Sequence, residues 1–97
     1  MRKILIADDE RIERQGIRSL LERKDYNLEI LEASNGKEAL EIARSQKPDI
    51  LLSDIKMPFM TGLELMEKVR QFDSEMAIIF SADTVILNMP DWRSSTE

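Results

Sequence analysis

The chain of 97 residues contains no cysteine and no histidine. Without cysteine it can form neither a disulfide nor a thiolate metal site, and without histidine it has no imidazole base, ligand or phosphodonor of its own. No apolar run approaches the roughly 20 residues of a membrane span and no signal peptide is visible, so we expect a cytoplasmic protein without a membrane partner. The net charge of −5, with no cluster of Lys and Arg to offset it, disfavours direct binding to nucleic acid.

Three aspartates follow two short apolar runs, and they are the most informative residues of the sequence. Asp8 and Asp9 follow residues 3–7, and Asp54 follows residues 49–53. Each run has the length and apolar content of a buried parallel strand, and open α/β sheets bind ligands at the carboxyl ends of such strands. Carboxylates that meet there repel one another unless a cation lies between them, and hard oxygen ligands suit Mg²⁺. The simpler alternative is that Asp8 and Asp9 only cap the helix that follows.

Apolar runs alternate with segments of helical spacing along most of the chain. Strands are predicted at residues 3–7, 27–32, 49–53 and 76–80, and helices at residues 10–23, from Asn35 to Pro48 and from residue 61 onward. Asn35 with Glu38, and Thr61 with Glu64, have the spacing of capping boxes at the starts of the second and third helices. Regular alternation of this kind predicts βαβ units and a parallel sheet in one small domain.

Apolar spacing also indicates which face each predicted helix buries. In the first helix the inward residues are expected to be Ile12, Gly16, Ile17, Leu20 and Leu21. In the third helix they are expected to be Leu63, Met66 and Val69. Both stripes would pack on the sheet, because a surface helix turns its apolar side toward the core.

Five short motifs in a fixed order resemble the receiver domain of two-component response regulators. In chain order they are Asp8-Asp9-Glu10, Ser34-Asn35-Gly36, Lys47-Pro48-Asp49, Asp54-Ile55-Lys56-Met57-Pro58-Phe59-Met60-Thr61-Gly62 and Ile78-Ile79-Phe80-Ser81-Ala82. They are most similar to receivers attached to arabinose-regulator-type helix-turn-helix domains in Gram-positive bacteria. The resemblance implies a flavodoxin-like, doubly wound parallel sheet of order 2-1-3-4, in an incomplete receiver domain over residues 1–84.

The same resemblance implies a role for each site residue. Asp54 would accept a phosphoryl group from the phosphohistidine of a sensor histidine kinase. Asp8, Asp9 and Asp54 would hold Mg²⁺ together with the backbone carbonyl of Lys56, and Asp9 is the expected direct ligand. The hydroxyl of Ser81 would bind a phosphoryl oxygen and act as the switch. The alternative for Ser81 is that it only forms the turn at the end of the fourth strand.

The resemblance ends at Val85, and residues 85–97 are expected to form a tail unlike the family. Receivers continue with a fourth helix, a fifth strand, a Lys-Pro step and a fifth helix, whereas Lys68 is the last lysine of this sequence. When codons are read from the third letter of the Val85 codon, permitted choices encode a sequence typical of the start of helix four. We therefore hypothesise a frameshift after about residue 84, which sequencing the coding DNA would test.

Three functions remain open from the sequence. The favoured one is a phosphoacceptor switch, not an enzyme, whose parent protein is a transcriptional response regulator. The second is a magnesium-dependent aspartyl phosphatase or phosphotransferase. It is disfavoured because enzymes of the haloacid dehalogenase type have an aspartate two residues after the nucleophile as general acid, where this chain has Lys56. The third is an inactive truncated fragment.

The predicted fourth strand, residues 76–80, would form an apolar edge of the sheet if no fifth strand follows it. The segment Thr84-Val85-Ile86-Leu87 is the only strongly β-prone stretch beyond it. We expect residues 85–87 to cover this edge, either within one subunit or by an exchange that makes a homodimer.

Overall fold

Strands and helices alternate along residues 1–24 and 26–80, which are the residues that this computed structural model describes. The elements, in chain order, are β1 (Arg2–Ala7), α1 (Arg11–Arg23), β2 (Leu28–Ala33), α2 (Gly36–Gln46), β3 (Ile50–Ser53), α3 (Gly62–Arg70) and β4 (Ala77–Phe80). Each strand and helix predicted from the sequence is present at its expected place. The spacing of apolar residues was therefore sufficient to predict every element up to residue 80.

The described strands form one parallel sheet in the order β2-β1-β3-β4, which confirms the predicted order and the flavodoxin-like architecture. The central strand β1 is fully buried from Ile4 to Ala7. A strand that is covered on both faces is apolar at every position, which explains the continuous apolar runs in the sequence. The register pairs Ala7 with both Ala33 and Ser53, so the residues that follow these three strands emerge side by side at one edge.

Helices cover both faces of the sheet and create two apolar layers. On one face, Leu5 and Leu51 pack with apolar residues of α2 and α3, among them Leu65. On the other face, Ile6 packs in a cluster that includes Leu21 of α1. Full burial of one such side chain contributes about 1.5–3 kcal/mol, so the two layers hold the sheet and its carboxyl edge firmly in place.

The predicted inward faces of α1 and α3 are wrong in part. Ile12 is 84% exposed, whereas Leu21 is the fully buried residue of α1. The two lie nine positions apart, which is half a turn around a helix of 3.6 residues per turn. In α3, Leu63 is exposed, whereas Leu65 and Val69 are buried and lie one helical turn apart. An apolar residue near a helix start was therefore a poor indicator of the buried face.

Both predicted helix starts are confirmed by hydrogen bonds, but only the pair Thr61 and Glu64 forms the complete capping box, because Glu38 bonds Ser34 instead of Asn35. Asn35 Oδ1 accepts from the N–H of Glu38 at 2.8 Å, and Glu38 Oε1 accepts from the N–H of Ser34 at 2.7 Å. At α3, Thr61 Oγ1 accepts from the N–H of Glu64 at 3.1 Å, and Glu64 Oε1 accepts from the N–H of Thr61 at 2.9 Å. Caps of this kind contribute about 1 kcal/mol each and fix where the loops at the carboxyl edge become helices.

Strand β4 lies at one edge of the sheet in the part of the chain that the structure describes. The domain boundary at residue 84, the tail over residues 85–97 and the covering of the β4 edge by residues 85–87 all lie outside that part. They stay predictions, and so does the homodimer. Among the described helices, none is both long and apolar enough to cross a membrane.

Candidate functional site

The carboxyl ends of β1 and β3 place Asp8 and Asp54 beside each other. The backbone N–H of Asp54 donates to the carbonyl of Ala7 at 2.8 Å, and that of Asp8 donates to the carbonyl of Ala33 at 3.1 Å. These bonds extend the parallel ladders by one residue, so the main chain of both aspartates is held as firmly as the strands themselves. The structure thus brings together two of the three aspartates that the sequence singled out.

A third carboxylate completes the cluster. Carboxylate oxygens of Asp8, Glu13 and Asp54 all lie within 4.8 Å of one another. Asp8 is only 1% exposed, whereas Asp54 is half-buried and Glu13 is exposed. One oxygen of Asp8 accepts from the N–H of Glu10 at 2.9 Å, and one oxygen of Asp54 accepts from the N–H of Ile55 at 2.8 Å. Each aspartate therefore keeps a second oxygen that can bind a cation.

Negative charge accumulates in this cluster. A side-chain hydrogen bond with Asp8 and the charge of Asp8, together with burial and the charges of Glu10 and Asp54, raise the pKa of Glu13 to about 7. A divalent cation would relieve this repulsion. The donors are hard carboxylate oxygens, and Mg²⁺ typically binds through one or two carboxylates while keeping several waters. The donor set therefore fits Mg²⁺.

Sequence reasoning missed Glu13. Glu13 is one charge among several in α1, and no sequence motif marks it. The available signal was its place in the first turn of the helix that directly follows Asp8 and Asp9. That turn stands at the carboxyl edge of the sheet, so an acidic side chain on it can reach the strand ends.

The remaining predicted site residues are Asp9, Lys56 and Ser81. Asp9 is exposed and does not belong to the cluster of three carboxylates. Lys56 is exposed in the loop between β3 and α3. Ser81 lies outside the described residues. The roles expected for Asp9, for the Lys56 carbonyl and for the Ser81 hydroxyl stay predictions.

The loop after Asp54 returns directly onto it at Gly62. The N–H of Gly62 donates to the carbonyl of Ile55 at 2.7 Å, and Ser53 Oγ donates to the carbonyl of Asp54 at 2.7 Å. A Cβ atom at Gly62 would lie below 3.0 Å from that same Asp54 carbonyl oxygen, a separation that side chains do not adopt. The close approach therefore requires glycine. This contact with the loop restrains the Asp54 backbone in addition to its hydrogen bond with Ala7.

Replacing Asp54 with asparagine is expected to stabilise the metal-free chain, because it removes one of three mutually repelling carboxylates. Two unit charges at this separation near a protein surface interact by roughly 3 kcal/mol, of which proton uptake and counter-ions leave about 1–2 kcal/mol. Urea unfolding in EDTA measures the change in the free energy of unfolding.

The control for that experiment is Glu67→Gln, which removes the same charge from an exposed position of α3. It should change the free energy of unfolding by less than about 0.5 kcal/mol. Saturating Mg²⁺ should stabilise the wild-type chain more than Asp54→Asn. Equal stability of wild type and Asp54→Asn in EDTA would show that repulsion among the three carboxylates does not destabilise the chain.

Sequence comparison identifies the family. The profile of the response regulator receiver domain matches residues 4–89, which extends past the expected end of the resemblance near residue 84. A response regulatory protein of Staphylococcus epidermidis is 37% identical over 84 residues, covering 86% of this chain and 34% of that protein. The transcriptional regulatory protein YdfI of Bacillus subtilis is 40% identical over 81 residues, covering 84% and 38%. The chain thus spans little more than a third of these relatives.

Solved structures agree with the sequence comparison. The REC domain of AraT, a response regulator from Geobacillus stearothermophilus, has a TM-score of 0.76 at 42% identity, covering 81% of this chain and 62% of that one. The two-component transcriptional regulator AraC from Clostridium phytofermentans has a TM-score of 0.76 at 33% identity, covering 82% and 65%. These matches confirm the resemblance to response regulator receivers, including one from an AraC regulator, that the motifs predicted. The chain belongs to the receiver domain family of response regulators.

Proposed function

We propose that this chain is the phosphoacceptor switch of a two-component phosphorelay, in which Asp54 receives a phosphoryl group from a histidine kinase with Mg²⁺ bound. The observation that supports it best is the meeting of the Asp8, Glu13 and Asp54 carboxylates at the carboxyl edge of a receiver sheet. Neither a structural cap nor a solvated helix face accounts for three carboxylates that converge from a strand, a helix and a second strand.

The transfer needs positioning more than covalent help. An oxygen of the Asp54 carboxylate attacks phosphorus and forms a mixed anhydride, while the bond from phosphorus to the imidazole nitrogen of the kinase breaks. Asp54 is half-buried, and its main chain is held by Ala7 and by the loop at Gly62, so its carboxylate is presented in one place. Holding the nucleophile in this way lowers the entropy lost on reaching the transition state.

Charge is the second requirement, since a phosphoryl group brings further negative charge to an acidic cluster. Bound Mg²⁺ would neutralise part of that charge. Asp8, Asp9, Asp54 and the backbone carbonyl of Lys56 would hold the ion, and Glu13 would add a carboxylate close to it. The Ser81 hydroxyl would bind a phosphoryl oxygen and pass the change to neighbouring segments.

The rival function is a magnesium-dependent aspartyl phosphatase or phosphotransferase. A phosphatase needs a general acid next to its nucleophile, and the position two residues after Asp54 is occupied by Lys56 instead of the aspartate that would serve as that acid. Phosphate release from a small phosphodonor distinguishes the two functions. A switch takes up at most one phosphoryl group per chain and loses it slowly, whereas steady release over many turnovers would establish the phosphatase.

The wider setting follows from the relatives. Two of them are named as a response regulatory and a transcriptional regulatory protein, and this chain spans 34% and 38% of their lengths. We propose that a sensor histidine kinase supplies the phosphoryl group, that the parent protein regulates transcription, and that the chain works in the cytoplasm.

Mg²⁺ titration tests the metal site. Wild type should bind Mg²⁺ weakly, and Asp9→Ala should weaken binding by more than about tenfold because it removes a ligand. Isothermal titration calorimetry gives the Kd, and Glu67→Gln is the control for the loss of one charge. Because Glu13 rather than Asp9 belongs to the carboxylate cluster, Glu13→Gln must be measured beside it. Unchanged binding in Asp9→Ala with lost binding in Glu13→Gln would transfer the ligand role to Glu13.

A further inference from the structure

Arg14 connects the acidic site to the far edge of the sheet. Its Nη1 donates to the backbone carbonyl of Asp8 at 2.8 Å, and its Nε donates to Glu32 Oε1 at 3.1 Å. The side chain is only 15% exposed, so both bonds are largely shielded from water. A guanidinium group has donors in a rigid planar fork and can make both bonds at once, which an ammonium group on a flexible stem does less well.

Glu32 is itself anchored. Its second oxygen accepts from Arg18 Nη1 at 2.8 Å, and Arg18 Nε also donates to Glu22 at 3.3 Å. Burial raises the pKa of Glu32, but hydrogen bonds from Arg14 and Arg18 and their charges outweigh it and lower the pKa overall. The Glu32 carboxylate is therefore ionised at neutral pH and gives Arg14 a fixed partner at the end of β2.

Both the N–H and the carbonyl of Asp8 are therefore linked to β2 by hydrogen bonds, the carbonyl through Arg14. Its N–H donates to the carbonyl of Ala33, and its carbonyl accepts from Arg14, which Glu32 holds. Glu32 and Ala33 are neighbours at the end of β2. Rotation of the Asp8 backbone would break one bond or the other, so the direction of the Asp8 carboxylate is restricted.

We propose that Arg14 is a positioning residue for the metal site, because it holds the Asp8 carbonyl so that the Asp8 carboxylate faces Glu13 and Asp54. The inference rests on the proposed function, since Mg²⁺ is the ion that this carboxylate would bind. Supporting partners of metal ligands that lie outside the coordination sphere commonly change metal affinity by about 10–100-fold when they are removed.

Electrostatics alone predicts the opposite sign, which makes the proposal testable. Loss of a cation beside an acidic cluster strengthens the attraction for Mg²⁺. Arg14→Met should nevertheless weaken Mg²⁺ binding by about tenfold or more, because the lost positioning outweighs the gain in attraction. Arg18→Met is the matched control: it removes the same charge and a bond to the same Glu32, whereas the Asp8 carbonyl is bonded by Arg14 and not by Arg18.

The experiment measures the Mg²⁺ Kd by calorimetry and the melting temperature of the full chain for wild type and four variants. These are Arg14→Met, Arg14→Lys, Glu32→Gln and Arg18→Met. We expect weaker Mg²⁺ binding in Arg14→Met and, to a smaller extent, in Arg14→Lys and Glu32→Gln. Arg18→Met should bind Mg²⁺ as tightly as wild type or more tightly, even if its melting temperature falls as far as that of Arg14→Met. If Arg14→Met does not fold, the ranking of Arg14→Lys and Glu32→Gln against Arg18→Met decides.

The results distinguish a failure of the role proposed for Arg14 from a failure of the proposed metal site. If wild type binds Mg²⁺ and the Arg14 and Glu32 variants bind it as tightly as Arg18→Met, Arg14 has no positioning role and the proposed function is untouched. If wild type binds no Mg²⁺, the proposed metal site fails and the role of Arg14 fails with it.

Discussion

Gly62→Ala is expected to lower the free energy of unfolding by about 2–3 kcal/mol, as overpacking of a well-filled site does. The new Cβ atom would meet the backbone carbonyl oxygen of Asp54 below 3.0 Å, and it would lie 3.1 Å from both Ile55 Cα and Ser53 Oγ. Two of these three atoms belong to the main chain, so no rotation of a flexible side chain can make room. The strand end that carries Asp54 must move instead.

Gly16→Ala is the matched control, since it adds the same methyl group elsewhere. Nothing lies within 4 Å of a Cβ atom at Gly16, which is exposed in the middle of α1. Alanine there should raise the free energy of unfolding by about 0.5–1 kcal/mol, because it restricts the unfolded chain and favours the helix. Urea unfolding of both variants should give changes of opposite sign. A Gly62→Ala chain as stable as wild type would mean that the loop does not pack on Asp54.

The arrangement of the sheet could be predicted because buried strands appear in the sequence as continuous runs of apolar or small residues. Ile4 to Ala7 and Ile50 to Ser53 are buried at every position, so both strands read as unbroken apolar or small runs. Parallel strands end at a common edge, which is why Asp8 and Asp54 could be expected to meet. Helix starts were equally readable, since Asn35 and Thr61 cap their helices through local hydrogen bonds.

The parts that could not be predicted depend on distances across the fold. The spacing of α1 did not show that Ile12 faces solvent, because the buried side is defined by Leu21 half a turn away. Glu13 is one charge among several in the sequence of α1, and only the fold shows that its carboxylate lies beside that of Asp8. The bond from Arg14 to Glu32 joins residues 18 positions apart, so no local sequence pattern could indicate it.

Asp54→Asn is expected to abolish phosphorylation completely. A carboxamide cannot attack phosphorus to give a mixed anhydride, and its volume and burial are otherwise nearly those of aspartate. Asp49→Asn is the matched control, because Asp49 lies just before the other end of β3, where its Oδ2 accepts from the N–H of Lys3 at 2.8 Å. That variant changes the same functional group far from the carboxyl edge, so its labelling should equal that of wild type.

The most direct measurement of the central claim is intact-mass spectrometry after incubation with acetyl phosphate and Mg²⁺. We predict a gain of one phosphoryl group in wild type and in Asp49→Asn, lost on treatment with hydroxylamine as expected of an acyl phosphate. We predict no gain when EDTA replaces Mg²⁺, and none in Asp54→Asn. An adduct that persists in Asp54→Asn or in EDTA, or a wild-type chain that gains no mass, would contradict the account.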